Sequence, residues 1–255
     1  MKFGVCCGVE QLPLLRQFCY DYIELNFSNV TLATEKEFEE IQEQLQHYGI
    51  CAESFNCFFP SGVNLNADVD YEMIGEYAKK GFARAEQLGG KIAVLGSGGA
   101  RRIPDGYDRE LAVEQFVKVL HICGDIAEHH GMRIAVEPLR VSETNFINTV
   151  AEGLEICKIA DHKNVKCLVD FFHLSMNGET LAAVKASGEW IIHAHMARPH
   201  ADRRIPTVQD MDACAEWANV LKEIGYEGRL SLEGEFYPDF ETAVREARPV
   251  LELFR

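Results

Sequence analysis

The chain has 255 residues, 47% of them apolar and 25% charged, with a formal net charge of −15, the profile of an ordinary globular protein. The acidic excess argues against nucleic acid as a partner, because phosphate binding needs a compensating basic surface, and no apolar run reaches the roughly 18 residues of a membrane span. Nine cysteines without a CxxC or any paired spacing read as reduced thiols in a cytoplasmic protein, with Cys51, Cys123, Cys157 and Cys167 expected as small core residues.

The opening MKFGVCCGVE has one lysine but neither a long apolar core nor a small-residue cleavage site. It reads as a first strand over residues 3–7 and not as a signal peptide. A weak helical stretch at 11–19 leads to a second strand at 22–27. Strong charge and apolar periodicity marks a helix over 35–48, followed by a strand at 51–59 and a helix at 71–88. The same alternation continues with a strand at 91–97, a helix at 108–130, a strand at 133–139, a helix at 148–160 and a strand at 165–172. A weaker helix at 180–185, a strand at 191–197, a helix at 210–224, a strand at 229–235 and a helix at 240–253 complete the chain.

Glycines stand at the helix exits, at Gly49, Gly89, Gly131 and Gly225, as left-handed helix caps require. Strand–helix units without a linker leave an eight-fold barrel or a doubly wound sheet. No glycine-rich dinucleotide fingerprint follows the first strand, where a doubly wound nucleotide fold carries it, and the length suits one barrel. The expectation is therefore a single (β/α)₈ TIM barrel, one catalytic domain over residues 1–255.

Active sites of such barrels collect where strands end. The last four strands end in Glu137, Asp170, His195 and Glu233. Alternation on the eighth strand turns Leu230 and Leu232 outward and Ser231, Glu233 and Glu235 inward; on the fifth, Ile134 and Val136 face out and Glu137 in. His193 and His195 share the inward face, with His195 nearer the top as the ligand and His193 in support. One strand-end carboxylate is ordinarily an ion-pair partner, but three converging on one mouth repel strongly. A divalent cation removes the conflict. Three oxygen donors and one imidazole suit Mn²⁺, Mg²⁺ or Co²⁺, with Zn²⁺ also accommodated and Mn²⁺ the expected ion.

These residues carry a resemblance. Glu137-Pro-Leu followed by Glu143-Thr-Asn-Phe-Ile-Asn, Val-Asp170-Phe-Phe-His173, His-Ala-His195-Met, Arg203-Arg-Ile-Pro and Ser-Leu-Glu233 resemble the ketose 3-epimerase branch of the xylose-isomerase-like barrel superfamily. The resemblance implies an isomerase acting on a sugar or sugar phosphate. Glu137, Asp170, His195 and Glu233 would hold the metal, and Glu143, His173 and Arg203 would contact the substrate, with Arg204 as the alternative to Arg203. It also implies proton transfer through a metal-stabilised enediolate, with Glu137 and Glu233 as the proton carriers on its two faces, and a homo-oligomer.

Two other activities use such a barrel. A dehydratase of inosose or dehydroshikimate type begins with the same proton abstraction. An endonuclease IV-like enzyme needs further histidine ligands in the first half, where the strands end in Cys7, Phe27, Phe59 and Ser97. Sugar specificity is expected from Cys6, Cys7, Asn56, Phe58 and Phe59. The glycine-rich loop 96–102 reads as an anion site with Arg101 and Arg102 as donors, against the plainer alternative of a solvated or closing loop.

Overall fold

In the computed structural model, which describes residues 1–255, short apolar strands and longer helices alternate until the sheet closes on itself. The strands are β1 (Lys2–Cys6), β2 (Tyr22–Asn26), β3 (Cys51–Asn56), β4 (Ile92–Leu95), β5 (Arg133–Val136), β6 (Val165–Asp170), β7 (Ile191–Met196) and β8 (Arg229–Leu232). They pair in sequence order as a closed parallel barrel, with Val5 of β1 opposite both Ile23 of β2 and Leu232 of β8. The helices are α1 (Leu12–Gln17), α2 (Phe27–Leu32), α3 (Glu35–Tyr48), α4 (Tyr71–Gln87), α5 (Arg109–His129), α6 (Val150–Ala160), α7 (Phe171–Met176), α8 (Leu181–Ser187), α9 (Met211–Glu223) and α10 (Phe240–Leu251). This is the expected (β/α)₈ TIM barrel. No helix is long and apolar enough to cross a membrane.

Local chemistry explains the helix boundaries. α3 begins with a capping box in which Thr34 and Glu37 satisfy each other's backbone N–H groups, and it ends at Gly49, whose φ of 62° suits a residue without Cβ. α6 repeats the capping box with Thr149 and Glu152. Strands predicted to run to residues 27 and 172 stop earlier because polar caps start helices there. The Asn26 side chain accepts from Asn29 N at 2.9 Å, opening α2, and Asp170 accepts from Phe172 N at 2.7 Å and His173 N at 3.2 Å, opening α7. Neither short helix was expected.

Two further expectations are corrected. Glu235, predicted to point into the barrel, is exposed. The chain leaves the sheet after Leu232, and Glu235 N donates instead to Arg203 O at 2.8 Å, joining the loop after β7. Cys51, predicted to be buried, is exposed because it is the first residue of β3, at the open end of that strand. Cys123, Cys157 and Cys167 are buried as expected.

Alternation along the strands produces two apolar layers. A cluster of 63 buried residues, including Ile134, Val136, Leu230 and Leu232, fills the space between barrel and helices. A separate cluster of Ile92, Val94, Ala135, Leu168 and Ile192 lies on the opposite strand faces and forms an apolar floor within the barrel. Phe58, expected at the mouth, belongs to the outer layer: it is 0% exposed and stacks on Phe27 with ring centroids 4.3 Å apart. The polar residues gather above the inner floor.

Candidate active site

Four side chains from the second half of the barrel meet at its C-terminal mouth. Glu137 directly follows β5, Asp170 closes β6, His195 lies near the end of β7 and Glu233 directly follows β8. One ligand-type atom from each lies within 4.8 Å of those of the others. His195 Nδ1 is the hub, 3.1 Å from Glu137 Oε1 and 3.1 Å from Glu233 Oε2. Asp170 has its two oxygens divided. Oδ1 caps α7, and Oδ2 faces the mouth, 3.5 Å from His173 Nε2.

Arg203, from the loop after β7, reaches into the cluster. Its Nη2 donates to Glu233 Oε2 at 2.7 Å and to Asp170 Oδ2 at 3.1 Å, with the guanidinium 4.9 Å above the Phe172 ring centroid. Arg204 turns away onto Tyr237, 3.7 Å from that ring centroid, so Arg203 is the arginine of this cluster. His173 is buried and accepts from Arg140 N through Nδ1 at 3.3 Å, which leaves Nε2 as the donor facing Asp170 and Arg203. Glu143 stands further out on the loop after β5, its Oε1 accepting from Arg140 Nε at 2.7 Å.

Packing this much charge out of water sets the protonation pattern. Burial, together with the charges of Glu233 and Asp170, raises Glu137 above the ordinary carboxylate value against the opposing His195 hydrogen bond. Burial also acts to raise Glu233, but His195 and Arg203 prevail and hold it down to about 2. For His195, burial favours the neutral ring. The carboxylates of Glu24, Glu233 and Glu137 outweigh burial and lift its pKa well above the usual histidine range. The cluster thus sets three acidic side chains against His195 and Arg203.

That donor set fits a divalent cation. Metal–ligand distances near 2.0–2.2 Å place donors on opposite sides of an ion at most roughly 4.0–4.4 Å apart, and the four atoms, within 4.8 Å of one another, need only a small contraction to reach that. Hard oxygens with one imidazole are the ligands that Mn²⁺, Co²⁺, Mg²⁺ and Zn²⁺ share.

Residues 13–253 match the Xylose isomerase-like TIM barrel family. The chain belongs to that family. It is similar to the D-psicose 3-epimerase of Ruminiclostridium cellulolyticum, 29% identical over 121 residues, which are 47% of this chain and 40% of that protein. The match thus spans well under two thirds of the relative's own length. Among solved structures, the D-psicose 3-epimerase of Clostridium cellulolyticum H10 with D-tagatose superposes with a TM-score of 0.84 at 20% identity, covering 100% of this chain and 98% of that one. An IolI protein with a bound zinc atom superposes with a TM-score of 0.77 at 23% identity, again covering 100% and 98%.

Glu24, which was not predicted, and Asn56, predicted only for specificity, complete the mouth. Glu24, from β2, is buried among His193, His195 and Ser231. Burial favours its neutral form, yet the two histidines hold its pKa well below the carboxylate range. Asn56, from the end of β3, donates to Glu233 Oε1 at 2.8 Å. A cavity of about 420 Å³ beside the cluster is lined by Cys6, Cys7, Glu24, Asn56 and Cys57 among others, so Cys6, Cys7 and Asn56 stand where specificity was expected to arise.

The loop 96–102 does not read anions through Arg101. Arg101 is 0% exposed, and its guanidinium donates to the carbonyls of Leu95 at 3.3 Å, Glu137 at 2.7 Å and Ile147 at 3.1 Å. Burial lowers its pKa to about 10, so it stays charged at neutral pH. Arg102 is exposed and donates to Glu143 O at 3.2 Å. Gly96 has a packing reason: a Cβ there would lie 2.2 Å from Glu137 Oε2. Arg101→Ala should lower stability by about 3 kcal/mol or more, since it strands buried carbonyls and leaves a void. Arg101→Lys should not rescue it, because a compact ammonium cannot reproduce the spread, planar fork that reaches the three carbonyls. Urea unfolding with an unchanged slope would measure the loss. A midpoint equal to wild type in Arg101→Ala would show that these bonds contribute nothing.

Proposed function

We propose that the protein is a divalent-metal-dependent sugar epimerase or isomerase. Glu137, Asp170, His195 and Glu233 would hold the cation, and Glu137 and Glu233 would carry the proton. The observation that carries this reading is the convergence of two carboxylates, from the ends of β5 and β8 with two strands between them, on the same nitrogen of His195 at 3.1 Å each. A zinc-bearing relative and a relative solved with a ketose support it.

When bound, the cation supplies Lewis-acid polarisation that acidifies the carbon next to a substrate carbonyl. The residues divide the remaining work. One of Glu137 and Glu233, ionised, takes the proton from that carbon, and the other, protonated, delivers its own proton to the opposite face, inverting the centre; exchange with solvent resets both carboxyls. His173 donates from Nε2 to a substrate oxygen, held by its bond from Arg140 N. Arg203 swings its guanidinium from Asp170 and Glu233 to substrate hydroxyls, and Glu143 accepts from a hydroxyl at the rim.

The test is a panel of free ketoses, aldoses and their phosphate esters, incubated with the Mn²⁺-supplemented protein in D₂O and followed by NMR and mass spectrometry. The expected result is solvent deuterium at the carbon next to the carbonyl in a product otherwise isomeric with its substrate. Loss of one water from the product would instead identify a dehydratase. Absence of deuterium from every isomerised product would exclude proton transfer by these carboxylates.

A further inference from the structure

Glu24 has no part in the proton transfer just described, yet it is the most completely surrounded carboxylate of the mouth. Its side chain is 0% exposed, and each neighbour brings a donor. His195 Nε2 lies 2.9 Å from Oε1 and His193 Nε2 lies 2.8 Å from Oε2. Ser231 Oγ also donates to Oε2 and is itself fixed by Tyr22 OH at 2.7 Å. An ionised carboxylate only accepts hydrogen bonds. The network therefore has one consistent sense, in which His195 Nε2 keeps its proton and donates it to Glu24. The other ring nitrogen, Nδ1, then faces Glu137 and Glu233.

We infer that Glu24 is a positioning residue that fixes both the orientation and the tautomer of His195, so that Nδ1 is the nitrogen offered to a divalent cation. Without it, a neutral imidazole would distribute its proton between two nitrogens and rotate in its slot. A carboxylate behind a ligating histidine also strengthens the ring as a donor, and losing such a partner typically weakens metal affinity about 10–100-fold. Glutamine is nearly isosteric but replaces one acceptor with a donor. Its amide can then present N–H to His195 Nε2 and favour the tautomer with the proton on Nδ1.

This inference rests on the metal reading above, and the experiment separates the two. Mn²⁺ affinity is measured by calorimetry on the purified full chain and on Glu24→Gln and Ser231→Ala. The ring nitrogens of His195 are followed by ¹⁵N NMR on Zn²⁺-loaded protein. Glu24→Gln should bind Mn²⁺ about 10–100-fold more weakly and lose the single pattern of metallated Nδ1 with protonated Nε2. Ser231→Ala keeps every charge and loses only one orienting hydroxyl, so it should shift both readouts less, in the same direction. It also provides the test if Glu24→Gln fails to fold. Unchanged affinity with an unchanged nitrogen pattern in folded variants would overturn the role of Glu24 alone. Failure of the wild type to bind any divalent cation would overturn the metal reading and this inference together. Cys6 lies with Glu24 and His195 in a second close group. Two metal equivalents in wild type, with one lost in Glu24→Gln, would make Glu24 a ligand and overturn the positioning role.

Discussion

Stripped of divalent metal by chelation, the protein should turn over no sugar, and Mn²⁺ or Co²⁺ should restore it. Without a cation, His195 and Arg203 face the three acidic side chains. Those groups stabilise the mouth but cannot polarise a carbonyl as a divalent ion does. Two substitutions sharpen the test. Asp170→Asn keeps an oxygen to accept from Phe172 N and His173 N, so α7 retains its cap, while the charge facing the mouth is gone. His195→Ala removes the hub nitrogen entirely. Both should weaken metal binding by about 10²-fold or more, as loss of a ligand charge or donor does, with circular dichroism unchanged for Asp170→Asn. Full turnover by a preparation shown by elemental analysis to contain no metal would end this account.

Glu137→Gln and Glu233→Gln should each lower turnover by about 10²–10⁴, the usual effect of removing a positioned acid–base group. Because both carboxylates also belong to the candidate metal cluster, the comparison requires saturating Mn²⁺ and a measured metal content. Deuterium then distinguishes the two roles. Each variant should stop interconverting epimers, yet still exchange the proton of the epimer whose hydrogen faces the remaining carboxylate. Glu235→Gln should behave as wild type, since Glu235 is exposed and outside the cluster. Normal turnover in metal-loaded Glu233→Gln would show that the proton passes through another group.

The second half of the site was legible because strand alternation and strand ends are sequence-level features. Glu137, Asp170, His195 and Glu233 each close an apolar run, and the fold brings them within 4.8 Å of one another. Glu24 was not found by that rule. It lies two residues before the end of β2, and the predicted strand ran on to Phe27 because the cap made by Asn26 was not recognised. A glutamate inside an apolar strand, in the register that turns His193 and His195 inward, was the available signal. Arg101 was misread for a different reason. An arginine in a glycine-rich loop has the same appearance in sequence whether it faces solvent or binds three buried carbonyls, and only the path of the chain distinguishes them. Glu235 failed because alternation was extended past Leu232, where the backbone had already left the sheet.

The fit of Gly96 against Glu137 Oε2, 2.2 Å from where a Cβ would stand, also bears on how this site can be altered by selection or by design. Position 96 accepts a side chain only if the Glu137 carboxylate moves, so a substitution there changes the cluster itself. Cys6 and Cys7, at the end of β1, line the cavity beside the cluster, and their side chains can vary without that contact to Glu137. A library directed at those thiol positions, with Gly96 kept constant, is a route to changing the proposed sugar specificity while leaving the cluster intact.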